Sequence, residues 1–219
     1  ALSGIWDKGE EALSRACAAG HIEIAQLLLE ARFPCCDMTL FSTCYSGHLE
    51  LAKKLLEAGI GHGLEAVEAL HHAAGVGDAE AVRLLLSAEY MGTYADQMDR
   101  CLVSSCHDGY LEIAHLLLEA GVDKDSVDPS GKTGLICACD QGHMEIIQLL
   151  LAAGANVNLK DHNGQTALNC ADDKGFADIA ILLRAAGAVG GRCRPIITGK
   201  RTFITKSELM LLWPERFAA

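Results

Sequence analysis

Six near-copies of one short pattern run along the chain, and this repetition constrains the fold more than any other feature of the sequence. A glycine marks the same place in each copy: Gly20, Gly47, Gly77, Gly109, Gly142 and Gly175. Successive glycines are separated by 27, 30, 32, 33 and 33 residues, so the period settles at 33. Repeats of this length form arrays in which each unit buries its apolar side against its neighbours.

The residues around each glycine predict two helices per unit. Seven places before the glycine stands a leucine: Leu13, Leu40, Leu70, Leu102, Leu135 and Leu168. Four places before it stands a small residue, which lets helices approach closely: Ala16, Thr43, Ala73, Ser105, Ala138 and Ala171. Three places after it stands an acid, suited to the first turn of a second helix: Glu23, Glu50, Glu80, Glu112, Glu145 and Asp178. The apolar residues that follow have helical spacing, so this second helix is amphipathic.

The segment DHNGQTALNCADDKGFADIAILLRAAGA at 161–188 resembles the ankyrin repeat almost throughout, and the similarity extends from about residue 10 to 188. The resemblance implies that each unit is a hairpin finger, an inner helix, a short turn and an outer helix. The fold class we expect is all-α, an ankyrin-repeat solenoid of stacked helix-turn-helix units with short hairpin fingers and a non-repeat C-terminal docking tail. The expected boundaries are a cap remnant at 1–9, units at about 10–34, 35–62, 63–93, 94–127, 128–160 and 161–188, and the tail at 189–219.

Departures from the family pattern gather in the first three units, which are degenerate. The D-x-x-G-x-T turn is kept only twice, as Asp128, Gly131 and Thr133 and as Asp161, Gly164 and Thr166. Its Asp and Gly shape the turn and its Thr caps the inner helix. Gly134 replaces the family's proline, and a helical glycine costs roughly 1 kcal/mol relative to alanine. Arg32 and Glu89 replace the glycine that closes the outer helix in other units, so we expect irregular fingers there.

Charge and hydropathy exclude several classes of protein. The net charge of -11 argues against a protein that binds nucleic acid through phosphate contacts. No apolar run is long enough for a membrane span, although peripheral association with a membrane complex stays open. The first residues show no signal or transit segment. We expect an intracellular reducing compartment, either the cytoplasm or an organelle matrix or stroma after removal of a transit segment.

Ten cysteines raise the question of a metal or redox site. Four of them occupy one column of the repeat, just after the small inner-helix residue: Cys17, Cys44, Cys106 and Cys139. Neighbouring helices pack roughly 8 to 10 Å apart, whereas a disulfide needs Cα atoms within about 7 Å. We therefore expect small buried side chains here.

No other chemistry is indicated. Cys35 with Cys36 has no second pair at zinc spacing. His62, His71 and His72 could be imagined as ligands, but His71 occupies the place where ankyrin repeats carry a histidine that bonds to neighbouring loops. We expect no metal, no cofactor and no catalytic residue.

By the same resemblance, a protein partner binds the concave side formed by fingers and inner helices. The predicted binding residues are the pair before each central glycine and the finger tips: Tyr45, Ser46, His107, Asp108, Pro129, Ser130, Lys132, Asp140, Gln141, His162, Asn163, Gln165, Asp173 and Lys174. The front half of this side, formed by the first three units, carries small side chains. The back half, formed by the last three units, collects Asp108, Asp140, Asp172 and Asp173. An acidic surface favours a basic partner segment, although a merely solvated face is an equal alternative.

The last thirty residues abandon the repeat and reverse the charge. Residues 190–219 carry 6 basic and 2 acidic side chains, a net charge of +4. The residues expected to contact a protein are Arg192, Arg194, Lys200, Arg201, Leu209, Met210, Leu212, Trp213 and Phe217. The apolar ones require burial, so the tail either caps the array or docks into another protein, and its basic half could also lie on the acidic face of its own chain.

The sequence thus predicts a non-catalytic protein-protein interaction scaffold, an accessory subunit or adaptor of a larger assembly anchored by its C-terminal tail. One alternative is a substrate-recruiting receptor for a ubiquitin ligase or chaperone system. A second alternative, of another class, is a thiol- or metal-dependent enzyme.

Overall fold

The computed structural model describes residues 3–32, 38–61, 63–88 and 94–190, with side chains from residue 11 onward except those of 95 and 96. Within these ranges the chain forms twelve helices in chain order: α1 (Ser3–Ala18), α2 (Ile22–Glu30), α3 (Thr39–Tyr45), α4 (Leu49–Glu57), α5 (Leu64–Val76), α6 (Ala79–Leu86), α7 (Ala95–Asp108), α8 (Leu111–Glu119), α9 (Gly134–Gln141), α10 (Met144–Ala152), α11 (Ala167–Lys174) and α12 (Ala177–Ala185). None of the helices in the described ranges has both the length and the apolarity that a bilayer span requires.

The helices stack in two rows that run the length of the array. Each odd-numbered helix packs against the next odd-numbered one and against its own even-numbered partner, so the odd helices are the inner row and the even helices the outer row. Contacts are more extensive within the inner row than within the outer row. This arrangement confirms the predicted all-α solenoid of helix-turn-helix units.

Two columns of the repeat explain the close inner row. The leucine seven places before each glycine is buried in every unit, and so is the small residue four places before it. Where that small residue is polar, its hydroxyl is satisfied inside its own helix: Thr43 Oγ1 donates to the Thr39 carbonyl oxygen at 2.6 Å, and Ser105 Oγ to that of Cys101 at 2.7 Å. The polar variants therefore bring helices together without an unpaired buried group.

A ring from the following unit covers four of the central glycines. A side chain is disfavoured at these four positions for two reasons: φ lies between +72° and +87°, and the ring lies against the glycine. A Cβ would lie 2.5 Å from the His48 ring at Gly20, 2.7 Å from Tyr110 at Gly77, 2.8 Å from His143 at Gly109 and 3.0 Å from Phe176 at Gly142. The glycine column is thus also a contact between units.

The two predicted D-x-x-G-x-T turns are confirmed. Asp128 Oδ1 accepts from the backbone N–H of Ser130 and of Lys132, both at 2.8 Å. The side chain of Thr133 then caps α9 by accepting from Ile136 N–H at 3.2 Å. Equivalent bonds from Asp161 and Thr166 build the next finger and start α11. The fingers are joined by the His162 N–H, which donates to the Ser130 carbonyl oxygen at 3.1 Å.

The first unit has a longer inner helix than the later units with complete fingers. Helix α1 begins at Ser3 and runs without a break to Ala18, so residues 3–9 are helical and continuous with the first inner helix; that they act as a cap stays a prediction. Arg32 adopts φ of 55° at the place where later units have a closing glycine. The expected irregularities at 33–37 and 89–93, and the tail from 191 onward, lie outside the described residues.

Candidate functional site

The concave face, defined here as the exposed surface of the inner helices together with the fingers at 128–132 and 161–165, carries all fourteen of the predicted binding residues. Each of them is exposed or half-buried: eight lie at the C-terminal ends of inner helices and six on the two fingers. The repeat register therefore placed these side chains on the surface correctly. That they bind a partner stays a prediction.

Polar contacts link three units in the back half of the concave face. His107 Nδ1 donates to Asp108 Oδ1 at 2.7 Å, and the amide of Gln141 donates to His107 Nε2 at 3.3 Å. The carboxylate of Asp140 lies 3.3 Å from Lys174 Nζ and 3.9 Å from Lys132 Nζ. Side chains from α7, α9, α11 and one finger thus form one partly exposed polar surface.

These contacts change the charge expected from the sequence. Asp172, which was grouped with the acids of this face, pairs with Arg184 of α12 instead, with both carboxylate oxygens 2.9 Å from Nη2. Its side chain is only 9 % exposed, so it presents little charge to a partner. Since Asp140 also lies between two lysines, the back half is of mixed charge and not strongly acidic.

A cleft of about 210 Å³ opens in this surface between α7 and the finger at 128–132. Val103 and Cys137 contribute its apolar lining, and Arg100, Asp108 and Asp128 its charged lining. Arg100 and Val103 were not among the residues predicted from the sequence, because they lie outside the pair before each glycine. Helical spacing could have found Arg100, which lies two turns before His107 on the same stripe.

The front half is aromatic, not merely small as the sequence suggested. The ring centroids of Tyr45 and His72 are 4.7 Å apart, and Phe41 lies 6.1 Å from Tyr45 and 5.7 Å from His72. Tyr45 is 64 % exposed and Val76, nearby in the repeat register, 59 %. Such exposed aromatic and apolar groups are enriched where proteins bind each other.

The thiols of the cysteine column are buried, and burial suppresses their ionisation. Burial raises the pKa of Cys44 to about 12, with further contributions from Asp78 and Glu65, and it raises the pKa values of Cys106 and Cys139 as well. These thiols stay protonated at neutral pH and are poor nucleophiles. Among the described residues, no group of three or more His, Cys, Asp or Glu side chains is placed to hold a metal ion.

His71 has the structural role that the resemblance implied. Its Nε2 donates to the Gln97 carbonyl oxygen at 3.0 Å, which ties α5 to the start of α7. Burial lowers the pKa of His71, although the bond to Gln97 opposes the shift, so the ring is neutral at pH 7. His62 lies outside the described residues.

Comparison with known proteins agrees with this architecture. The family model described as ankyrin repeats (3 copies) matches residues 40–128 and 101–190, which together are more than half of the chain. Among solved structures, that of EF0377, an ankyrin repeat protein, superposes with a TM-score of 0.69 at 24% sequence identity, covering 80% of this chain and 97% of that one. At this identity the likeness concerns the fold alone. No curated protein matches the sequence.

Proposed function

The chain belongs to the ankyrin repeat family, and on that premise we propose that it is a non-catalytic scaffold whose concave face binds a segment of a partner protein. Ankyrin repeats are protein-protein interaction modules. The observation that carries the proposal is the concave face itself, where exposed aromatic and polar side chains from successive units form one surface. Buried, protonated thiols offer no activated nucleophile, which favours binding over catalysis.

The two halves of the concave face suggest what the segment looks like. An apolar or aromatic side chain of the partner fits the rings of Tyr45, Phe41 and His72. A basic side chain fits the cleft beside Asp108 and Asp128, while an acidic or amide group fits near Lys174. The partner is therefore an extended or helical segment with an apolar anchor at one end and polar groups at the other, and a wholly basic segment is less suitable than the sequence suggested.

We further propose the role of an accessory subunit or adaptor of a larger assembly, in a reducing compartment, with the tail as its attachment. Support comes from the tail's sequence, which combines basic and large apolar residues, but 191–219 lie outside the described residues. A substrate receptor for a ubiquitin ligase or chaperone is the rival role. It predicts several exchanging clients, whereas a subunit predicts one stable complex.

Affinity purification of the full chain from its source, followed by variants of the concave face, tests the proposal. Tyr45→Ala together with Asp108→Asn removes one anchor from each half, and we expect loss of a specific bound protein because interface energy concentrates in few residues. The control is Lys53→Ala with Glu80→Gln on the outer row. Equal binding by both variants would refute a concave site, and stoichiometric zinc in the purified chain would reopen the enzyme alternative.

A further inference from the structure

The outer row contains a second open surface, distinct from the concave face. Between α8 and α10 lies a groove of about 810 Å³, here called the convex groove. Leu111, Leu116 and Leu149 contribute its apolar floor, and Leu111 is 41 % exposed. The outer helices contact each other less extensively than the inner helices do, and part of the apolar surface between α8 and α10 is left open.

The rim of the convex groove is acidic. Its charged residues are Arg83, Glu112, Glu119 and Glu145, and the net charge of these four is 1 - 3 = -2. At two of the three junctions before it, side chains bridge the outer helices: Lys54 Nζ of α4 donates to Gln26 of α2 at 3.3 Å, and Arg83 of α6 pairs with Glu112 of α8 at 2.5 Å. In the described part of the chain no ion pair joins α8 to α10, so this junction stays open.

We propose that the convex groove is the docking site of the chain's own C-terminal segment, residues 191–219. This inference goes beyond the proposed function. The segment carries 6 basic and 2 acidic side chains, a net charge of +4, and its last third is rich in large apolar residues. An apolar floor with an acidic rim is complementary to both properties.

The geometry of the array allows this docking within one molecule. Val189 N–H donates to Asn158 Oδ1 at 2.8 Å, and Asn158 Nδ2 donates to the Gly187 carbonyl oxygen at 3.2 Å. The chain therefore leaves the array beside the segment that follows α10. Helix α10 itself is one wall of the groove. Residues 191–208 span up to about 60 Å when extended, while neighbouring helices lie roughly 8 to 10 Å apart.

Charge disfavours a second copy of the array as the occupant. Without 191–219 the chain has 12 basic and 27 acidic residues, a net charge of 12 - 27 = -15. Two such arrays repel each other, whereas the tail is attracted. An assembly that takes up the tail would have to displace it from the convex groove, so docking on the array and anchoring elsewhere compete.

Tryptophan fluorescence of the full chain tests the proposal. The chain has two tryptophans, Trp6 and Trp213, so Trp6→Phe leaves Trp213 as the only reporter. We expect blue-shifted emission and several-fold weaker acrylamide quenching than in urea. Glu112→Gln, Glu119→Gln and Glu145→Gln together should shift the emission to the red and increase quenching.

A control at equivalent repeat positions is available on α4 and α6: Glu50→Gln, Glu57→Gln and Glu80→Gln, which should leave the emission unchanged. The tail proposal fails if Trp213 is already as exposed as in urea when the glutamates of the groove are unsubstituted. It also fails if both triple variants have the same effect. It also fails if neither has any effect, as a cap over α12 would give. Emission that depends on protein concentration would assign the tail to a second molecule and overturn docking in cis.

Discussion

Replacing Gly134 by alanine tests whether two unusual residues of adjacent units compensate each other. Cys106 fills a column that the family usually fills with alanine, and Gly134 stands opposite it at the start of α9. A Cβ on Gly134 would lie 2.9 Å from Cys106 Sγ and 3.4 Å from its Cβ, and both residues are buried. The glycine is therefore required by the larger thiol of the preceding unit.

The expected magnitude follows from two opposing effects. Overpacking a buried site costs about 1 to 3 kcal/mol, and alanine in place of a helical glycine recovers at most about 1 kcal/mol. Gly134→Ala alone should therefore destabilise the chain by about 1 kcal/mol. Cys106→Ala alone leaves a small cavity and should cost about 1 kcal/mol. In the double variant the new methyl group occupies the space left by the sulfur, so we expect a favourable coupling of about 1 to 2 kcal/mol.

The assay is urea unfolding followed by circular dichroism for all four members of the double-mutant cycle. The comparison requires equal slopes with denaturant, since a changed slope would mean that separate parts of the array unfold independently. Additive effects, with a coupling below about 0.5 kcal/mol, would refute the compensation.

Three further predictions concern single features. Arg32→Gly should raise the free energy of unfolding by about 1 kcal/mol, because arginine is strained at a positive φ; Arg32→Ala should not, and an equal gain from both in thermal unfolding would contradict the reason given. Although partial burial opposes it, bonds from Ser130 and Lys132 lower the pKa of Asp128. The ionised Asp128 side chain thus stabilises the fold at pH values above the aspartate pKa of the unfolded chain, and this stabilisation is lost as pH falls through the lower pKa of the folded chain. The free energy of unfolding should therefore fall less steeply with acidification in Asp128→Asn than in the wild-type chain. Buried thiols should react with a disulfide reagent much more slowly in native protein than in urea, and fast native labelling of Cys44 or Cys106 would show that their burial is wrong.

The repeat register made most of the fold predictable. Leu13 and its equivalents, the small residue three places later and the central glycine each recur with one chemical character, so their burial or turn geometry could be inferred by alignment of the units alone. The turns and the caps at Thr133 and Thr166 were predictable because they are local and depend on residues within four positions.

Features that join different residue types across units were not predictable. The column that covers the glycines contains His48, Tyr110, His143 and Phe176, which all carry a ring but are of three different residue types. The aromatic group in the front half joins Tyr45 of one unit to His72 of the next, at different places in the repeat. Asp172 was misplaced because its partner, Arg184, lies on the outer helix of the same unit. A shift of one residue, about 100° around the helix axis, separates the direction of its carboxylate from that of Asp173.

Site-specific photo-crosslinking in the source cells tests the central claim most directly. A photoreactive amino acid replaces Ser46 or Gln141 on the concave face, and Lys53 on the outer row serves as the control, since all three positions are exposed. If the concave face holds a partner segment, the two concave positions should yield the same protein adduct and Lys53 should yield none. Adducts from Lys53 alone, or no adduct from either concave position in a chain that still co-purifies with its partner, would contradict the account.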